Sequence, residues 1–315
     1  MEMKSQREIH RVSPACVIPD LAGEITAALV GTGPALGLGE VRSTSAPSKI
    51  ALVIGTSGTT GMSKEVAFTA SALLASARAS NKFLGAKAGQ QWSLFLPLTH
   101  IAAVNVIIRS MELETLPIDL REHQGEYPQV DFTSIVPTQL FRGLNSDERL
   151  LRHLQSAKAV LVGGAALSPA LSQQAMTASI NVVETYGMTE TITHIAVKKL
   201  NNDKKIIEGE TRQAAYEVLP NVSISADERG CLVIEAFEVS QEKITTNDLV
   251  NIISETSFEW LGRFDSVINS GGIKLIPEQI EGKLATKIEQ RFFVAGISDA
   301  VLGEKLILVV ESEIK

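Results

Sequence analysis

Five short apolar runs, over residues 50–54, 93–98, 132–136, 159–162 and 180–184, recur through the first two-thirds of the chain. Each is too short to be a buried helix, and helical patterns lie between them over 69–80, 102–111, 138–144 and 169–178. Strand, loop and helix repeated at this spacing predict an α/β sheet with both faces covered. Ser168-Pro169 predicts a helix start, a hydroxyl cap followed by proline in the first turn. The pattern changes near residue 215, where 216–225 and 231–237 flank Ala226-Asp227-Glu228-Arg229-Gly230 and predict a hairpin or small β-subdomain. It changes again at Gly262-Arg263-Phe264-Asp265, after which Val267-Ile268, a Ser-Gly-Gly turn and a helix over 277–288 predict a small α+β C-terminal lobe. The division expected is a large domain over 1–262 and a lobe over 263–315. The first forty-odd residues are weakly patterned and predict no element.

The first run leads straight into Gly55-Thr56-Ser57-Gly58-Thr59-Thr60-Gly61-Met62-Ser63-Lys64. Glycines let backbone N–H groups converge, the hydroxyls add donors, and Lys64 adds a full charge, so the segment is suited to surround an anion. A flexible Ser/Gly linker has the same composition. The strand before it and the helix after it leave little room for one. It is not a Walker A loop, because Met62 and Ser63 separate Gly61 from Lys64.

A net charge of −7 argues against a nucleic-acid surface, and it means that an anionic ligand has to be held by local cations. Cys16 and Cys231 stand far apart in unrelated contexts, which fits a reducing compartment and excludes a disulfide framework. The N-terminus lacks the apolar core of a secretory signal, and no apolar stretch approaches the ~18 residues of a membrane span. A cytoplasmic enzyme without a membrane span is expected.

Four further segments carry candidate chemistry. His100 follows the strand end Leu96-Pro97-Leu98-Thr99, where a lone histidine is more often structural than catalytic. Gly163-Gly164 is a strand-to-helix turn, serving either close ligand approach or tight packing. Tyr186-Gly187-Met188-Thr189-Glu190 follows a strand where α/β sheets bind ligands; Tyr186 could cover a purine and Glu190 hold Mg²⁺, or the segment is a capped helix start. Asp248 offers two acceptors suited to a ribose diol and Arg263 a donor fork, although a surface ion pair explains both.

Taken in order, these motifs resemble the adenylate-forming superfamily of acyl/aryl-CoA ligases, peptide-synthetase adenylation domains and luciferases. The resemblance covers about residues 50–310. Within the superfamily the chain is most similar to the o-succinylbenzoate–CoA ligases of menaquinone biosynthesis, in their short actinobacterial form. The glycine loop begins near residue 55, where most relatives carry a further subdomain before it, and the Leu96-Pro97-Leu98-Thr99-His100 to Arg109-Ser110 stretch matches theirs. The resemblance implies an ATP- and Mg²⁺-dependent acid–CoA ligase that makes an acyl-AMP and then a CoA thioester. An aryl or fatty acid in place of o-succinylbenzoate, or a nucleotide-binding protein without turnover, are the alternatives.

Carried over by motif, Thr56, Ser57, Gly58, Thr59, Thr60, Gly61 and Lys64 would hold the β/γ-phosphates. Tyr186 and Gly187 would bound the adenine, Thr189 would touch the α-phosphate, Glu190 would bind Mg²⁺, and Asp248 with Arg263 would fix the ribose. His100, Arg109, Gly163 and Gly164 would line the acid pocket. Asp265 matches the family's hinge, with Gly271, Gly272 and Lys274 toward CoA. A homodimer is also implied. Two positions depart from the pattern. Glu65 replaces the usual glycine after the loop lysine and is expected to point away. Beyond Asp265, Lys274, Lys283, Lys287, Lys305 and Lys315 match no adenylation-lysine motif, so the lobe is expected to be incomplete and adenylation either impaired or dependent on a longer protein.

Overall fold

The computed structural model describes residues 6–56, 64–200, 215–285, 287–288 and 290–311. Three sheets follow one another along the chain. The first takes β1 (Gln6–Arg11), β2 (Ala35–Leu38), β3 (Ser45–Pro47), β4 (Ile50–Thr56) and β5 (Lys64–Thr69) in the order β3-β1-β2-β4-β5. Strands β4 and β5 form an antiparallel hairpin closed by the pair Thr56 and Lys64. Most of the hydroxyl-rich segment lies outside the described residues, and strand β5 intervenes before the helix expected after it.

The second sheet has eleven strands. A parallel half consists of β6 (Trp92–Leu94), β7 (Ile118–Asp119), β8 (Phe132–Ile135), β9 (Ala159–Val162) and β10 (Val182–Gly187), ordered β7-β6-β8-β9-β10. From β10 the sheet continues antiparallel through β11 (His194–Lys199), β12 (Tyr216–Val218), β16 (Ser257–Arg263), β15 (Ile244–Ser254), β14 (Cys231–Glu235) and β13 (Ser223–Ala226). The expected strand over 216–225 is thus two strands, because Tyr216 pairs with Phe258 of β16 while Ser223–Ala226 turns back onto β14.

Alternation on β9 shows why both faces must be covered. Ala159 and Leu161 pack into a core with α1 (Ile18–Val30), α2 (Ala70–Leu84) and α3 (Ile101–Met111), which separate the first two sheets. Val160 and Val162 pack on the other side against α4 (Pro137–Asn145), α5 (Glu148–Ser156) and α6 (Pro169–Thr177). Ser168 caps α6 by accepting from Leu171 N at 3.2 Å, with Pro169 in the first turn, as the sequence predicts. The third sheet is antiparallel, with β17 (Ile268–Ser270), β18 (Ile273–Leu275), β19 (Phe292–Asp299) and β20 (Gly303–Val310) in the order β18-β17-β20-β19. Its helix α7 (Pro277–Leu284) ends earlier than the expected 288.

Candidate active site

Strand β10 is the last parallel strand, and the chain leaves it at a point where the sheet changes to antiparallel. Such a change of winding leaves a crevice beyond the carboxyl ends of the strands. A cleft of about 720 Å³ opens there, lined among others by Lys64, Gly164, Tyr186, Glu190, Asp248 and Arg263. These come from three regions: the β4–β5 hairpin, the end of β10 with the turns after β9 and β10, and the β15–β16 pair.

At one end, Tyr186 donates its phenol O–H to Asp248 Oδ2 at 2.6 Å, and Trp260 Nε1 donates to Asp248 Oδ1 at 3.2 Å. Arg263 Nη1 lies 3.7 Å from Oδ1, while its Nε and Nη2 donate to Asp265 at 2.9 and 2.7 Å. Burial, with the Asp248 charge second, raises the Tyr186 phenol above its ordinary value, so it remains a donor. The hydrogen bonds from Arg263 hold the Asp265 carboxyl below its ordinary value. The Tyr186 ring meets Phe258 edge-on at 5.2 Å and Tyr216 at 5.8 Å. Beneath it, buried Glu184 accepts from Tyr216 Oη at 2.7 Å and pairs with Lys198 at 2.6 Å. Glu184 also accepts from Leu167 N at 3.3 Å, which ties the glycine turn after β9 to β10.

At the other end, Lys64 Nζ lies 3.4 Å from Glu190 Oε1. Both side chains are well exposed, so the pair contributes little to stability, about 0–1 kcal/mol, and is open to exchange with a ligand. Thr189 begins the turn of 3₁₀ helix between Met188 and Glu190, both of which line the cleft. Among the described residues, no cluster of three His, Cys, Asp or Glu is arranged to hold a metal. One carboxylate at the mouth fits an ion that arrives already bound to phosphates, since Mg²⁺ keeps most of its oxygen ligands from water and substrate.

The match to a family model decides the assignment: the "AMP-binding enzyme" family model covers residues 5–224. The chain belongs to the AMP-binding enzyme family. A relative named probable 2-succinylbenzoate–CoA ligase, from Mycobacterium tuberculosis, is 30% identical over 83% of this chain and 70% of its own length. A solved acyl-CoA synthetase (AMP-forming)/AMP-acid ligase II-like protein from Dyadobacter fermentans is 34% identical, covers 84% of this chain and 75% of that one, and has a TM-score of 0.58. MenE of Bacillus subtilis, solved in complex with ATP and magnesium ion, is similar in fold, with TM-score 0.67 at 20% identity over 93% of this chain and 73% of that one.

In this AMP-binding enzyme, Lys64, Glu190 and Asp248 border one cleft, together with Gly164, Tyr186, Gly187 and Arg263. Ser57, Gly58, Thr59, Thr60 and Gly61 lie outside the described residues, and Thr56 ends β4. Gly163 lies beneath the turn, where a Cβ would meet Thr185 Oγ1. His100 is exposed at the start of α3 and is not among the cleft's lining residues; a Cβ added at Gly39 would meet both the neighbouring Thr99 carbonyl and Gly55 O. Arg109 does not line the cleft. It is buried on α3, donating to Thr193 Oγ1 at 3.1 Å, with His194 Nδ1 at 3.5 Å and the Trp92 ring at 5.3 Å. Burial pulls its guanidinium down to about 9, and Nε meets no acceptor among the described residues. Gly271, Gly272 and Lys274 are exposed at the β17–β18 turn, none of them among the cleft's lining residues. Glu65, expected to point away from the phosphates, turns onto the Arg42-Ser43 segment. It accepts from Ser43 and from the backbone N–H groups of Arg42 and Ser43, and its carboxyl is lowered chiefly by the Ser43 hydroxyl.

Trp260 and Lys243 also line the cleft, and no motif pointed to them. For Trp260 the signal was period-two alternation. It shares a strand face with Phe258, which packs on Tyr186.

Proposed function

We propose that this AMP-binding enzyme is an ATP-dependent acid–CoA ligase acting on 2-succinylbenzoate, in menaquinone biosynthesis. The observation that carries the reading is the single cleft bordered by Lys64, Glu190 and Asp248. Its size lies within the ~300–1,000 Å³ usual for small-molecule sites, and its two ends differ in chemistry. Asp248 is a pinned acceptor pair suited to a ribose diol, Tyr186 offers a ring face to adenine, and Lys64 with the hydroxyl loop offers donors to the β/γ-phosphates. Glu190 would hold the magnesium ion, which neutralises phosphate charge when bound.

A carboxylate oxygen attacks the α-phosphorus as the bond from that phosphorus to the β-bridging oxygen breaks, releasing pyrophosphate. The CoA thiolate then attacks the acyl carbon and AMP leaves. The chain's work in the first step is positioning and charge neutralisation: Asp248 and Arg263 fix the ribose, and Lys64 meets charge building on the leaving pyrophosphate. 2-Succinylbenzoate carries a second carboxylate that needs a cation. Buried Arg109 does not line the cleft and does not supply it in this structure, so the choice of acid rests on the relatives named 2-succinylbenzoate–CoA ligase. His100 and the Gly163-Gly164 turn complete the acid pocket in this reading, Asp265 is the hinge between 1–262 and 263–315, and Gly271, Gly272 and Lys274 face CoA. Two isolated cysteines support a cytoplasmic location. No helix of the described residues is long and apolar enough to cross a membrane. A homodimer is part of the reading.

The test is acid-dependent pyrophosphate release with 2-succinylbenzoate, benzoate and a long-chain fatty acid, with and without CoA. Release specific to 2-succinylbenzoate is expected. Preference for the fatty acid would remove the menaquinone assignment, and ATP binding without release for any acid would favour a nucleotide-binding protein without turnover. Glu190→Gln is expected to lose Mg²⁺-dependent release by at least about tenfold while the thermal midpoint stays put, since one charge-assisted ligand is worth more than the exposed pair it leaves.

A further inference from the structure

Asp248 is buried, yet its partners are distributed unevenly over its two oxygens. Oδ2 takes a short bond from the Tyr186 phenol, and Oδ1 takes the indole N–H of Trp260. Arg263 is a looser neighbour of Oδ1 at 3.7 Å, and its fork is spent on Asp265. A carboxylate turns readily about its last torsion unless both oxygens are held. Register brings the indole there. Asp248 pairs with Arg263 and Val250 with Trp260, and the irregularity between Leu249 and Val250 lets Trp260 reach back toward Asp248.

We propose that Trp260 is a positioning residue for nucleotide recognition: its indole N–H locks the Asp248 carboxylate in the plane that presents one free acceptor of each oxygen to a ribose 2′,3′-diol. It acts through Asp248 and selects ribonucleotides over dideoxynucleotides. The inference rests on the nucleotide reading of the cleft. The indole also provides a report of its own, because the other tryptophan, Trp92, is fully buried away from the cleft.

The experiment compares the wild-type chain, Trp260→Phe, and a chain carrying 3-benzothienylalanine at position 260, which keeps the ring's shape and replaces N–H with sulfur. Calorimetry measures ATP and 2′,3′-dideoxy-ATP, and acid-dependent pyrophosphate release gives kcat and KM. Loss of one hydrogen bond to a charged acceptor predicts about a tenfold weaker Kd and higher KM for ATP in both variants, with kcat nearly unchanged. With dideoxy-ATP the variants and wild type are expected to agree within about twofold, as there is no diol for Asp248 to read. ATP is expected to change tryptophan emission in wild type and not in Trp260→Phe, whose remaining blue emission from Trp92 reports that the core is intact. An equal loss for ATP and dideoxy-ATP, or wild-type affinity in the benzothienyl chain, overturns the proposal. If wild type binds dideoxy-ATP and ATP equally well, Asp248 does not read the diol and the proposal falls while the cleft remains a nucleotide site. If wild type binds neither, the nucleotide reading falls as well.

Discussion

A methyl group at position 187 would sit 2.1 Å from the Thr193 carbonyl oxygen and 2.5 Å from His194 Cα. Backbone cannot yield as a flexible side chain does, so Gly187→Ala is expected to lower stability by about 1–3 kcal/mol, read as a shift of the urea midpoint. An unchanged midpoint would show that the turn after Glu190 relaxes freely. The same turn holds Ile192 at φ 66°, a left-handed conformation that a β-branched residue rarely adopts. Behind it, His194 is kept well below its ordinary value by burial first and by Arg109 second, and burial lowers His153. For a base with a depressed folded value, the unfolded chain takes up the proton first. Stability is therefore full above about pH 6.5 and falls below it until the folded-state value is reached, at a slope of about 1.4 kcal/mol per pH unit for each such group. The thermal midpoint should drop between pH 7 and pH 5, and His194→Asn should flatten that drop. An identical pH profile in the variant would remove His194 from the account.

Helix α6 was legible because its signals are local: Ser168 offers a cap and Pro169 has no N–H to lose. Ser168→Ala should cost about 1 kcal/mol in chemical denaturation and Ser168→Asp should retain the wild-type value. Loss of stability in both would mean that the side chain packs more than it caps. Helix α1 was unread, although Ile18, Leu21, Ala22, Ile25 and Ala28 make a buried stripe ending at Gly31, which takes φ 80°. Its mixed Ala/Gly/Thr composition dilutes the apolar contrast. Strand β5 escaped for a different reason. Lys-Glu-Val-Ala-Phe-Thr gains strand geometry from pairing with β4 across the loop, a non-local cause.

The segment that carries the third sheet and α7 is tied to the end of β16 through one carboxylate in particular. Glu278, in the first turn of α7, accepts from Arg263 N at 3.2 Å and from Ser266 Oγ at 2.9 Å. It packs so closely on Gly262, at φ 144°, that a Cβ there would lie 2.4 Å from Glu278 Oε2. Glu278→Ala should loosen the lobe without melting the large cores, so trypsin should cut at Arg263 and Lys274 several-fold faster at an unchanged main thermal transition. Equal cutting rates would mean that other contacts hold it. By itself the sequence determined the α/β class, the order of the motifs and the residue types at the two ends of the cleft, because strand length, helical period and glycine-hydroxyl loops are local properties of the chain. Only tertiary structure decided that Lys64, Glu190 and Asp248 share one cleft, that Arg109 is buried behind the turn, and that Trp260 reaches Asp248. Those outcomes depend on strand order, register and a single bulge, which bring together residues far apart in sequence.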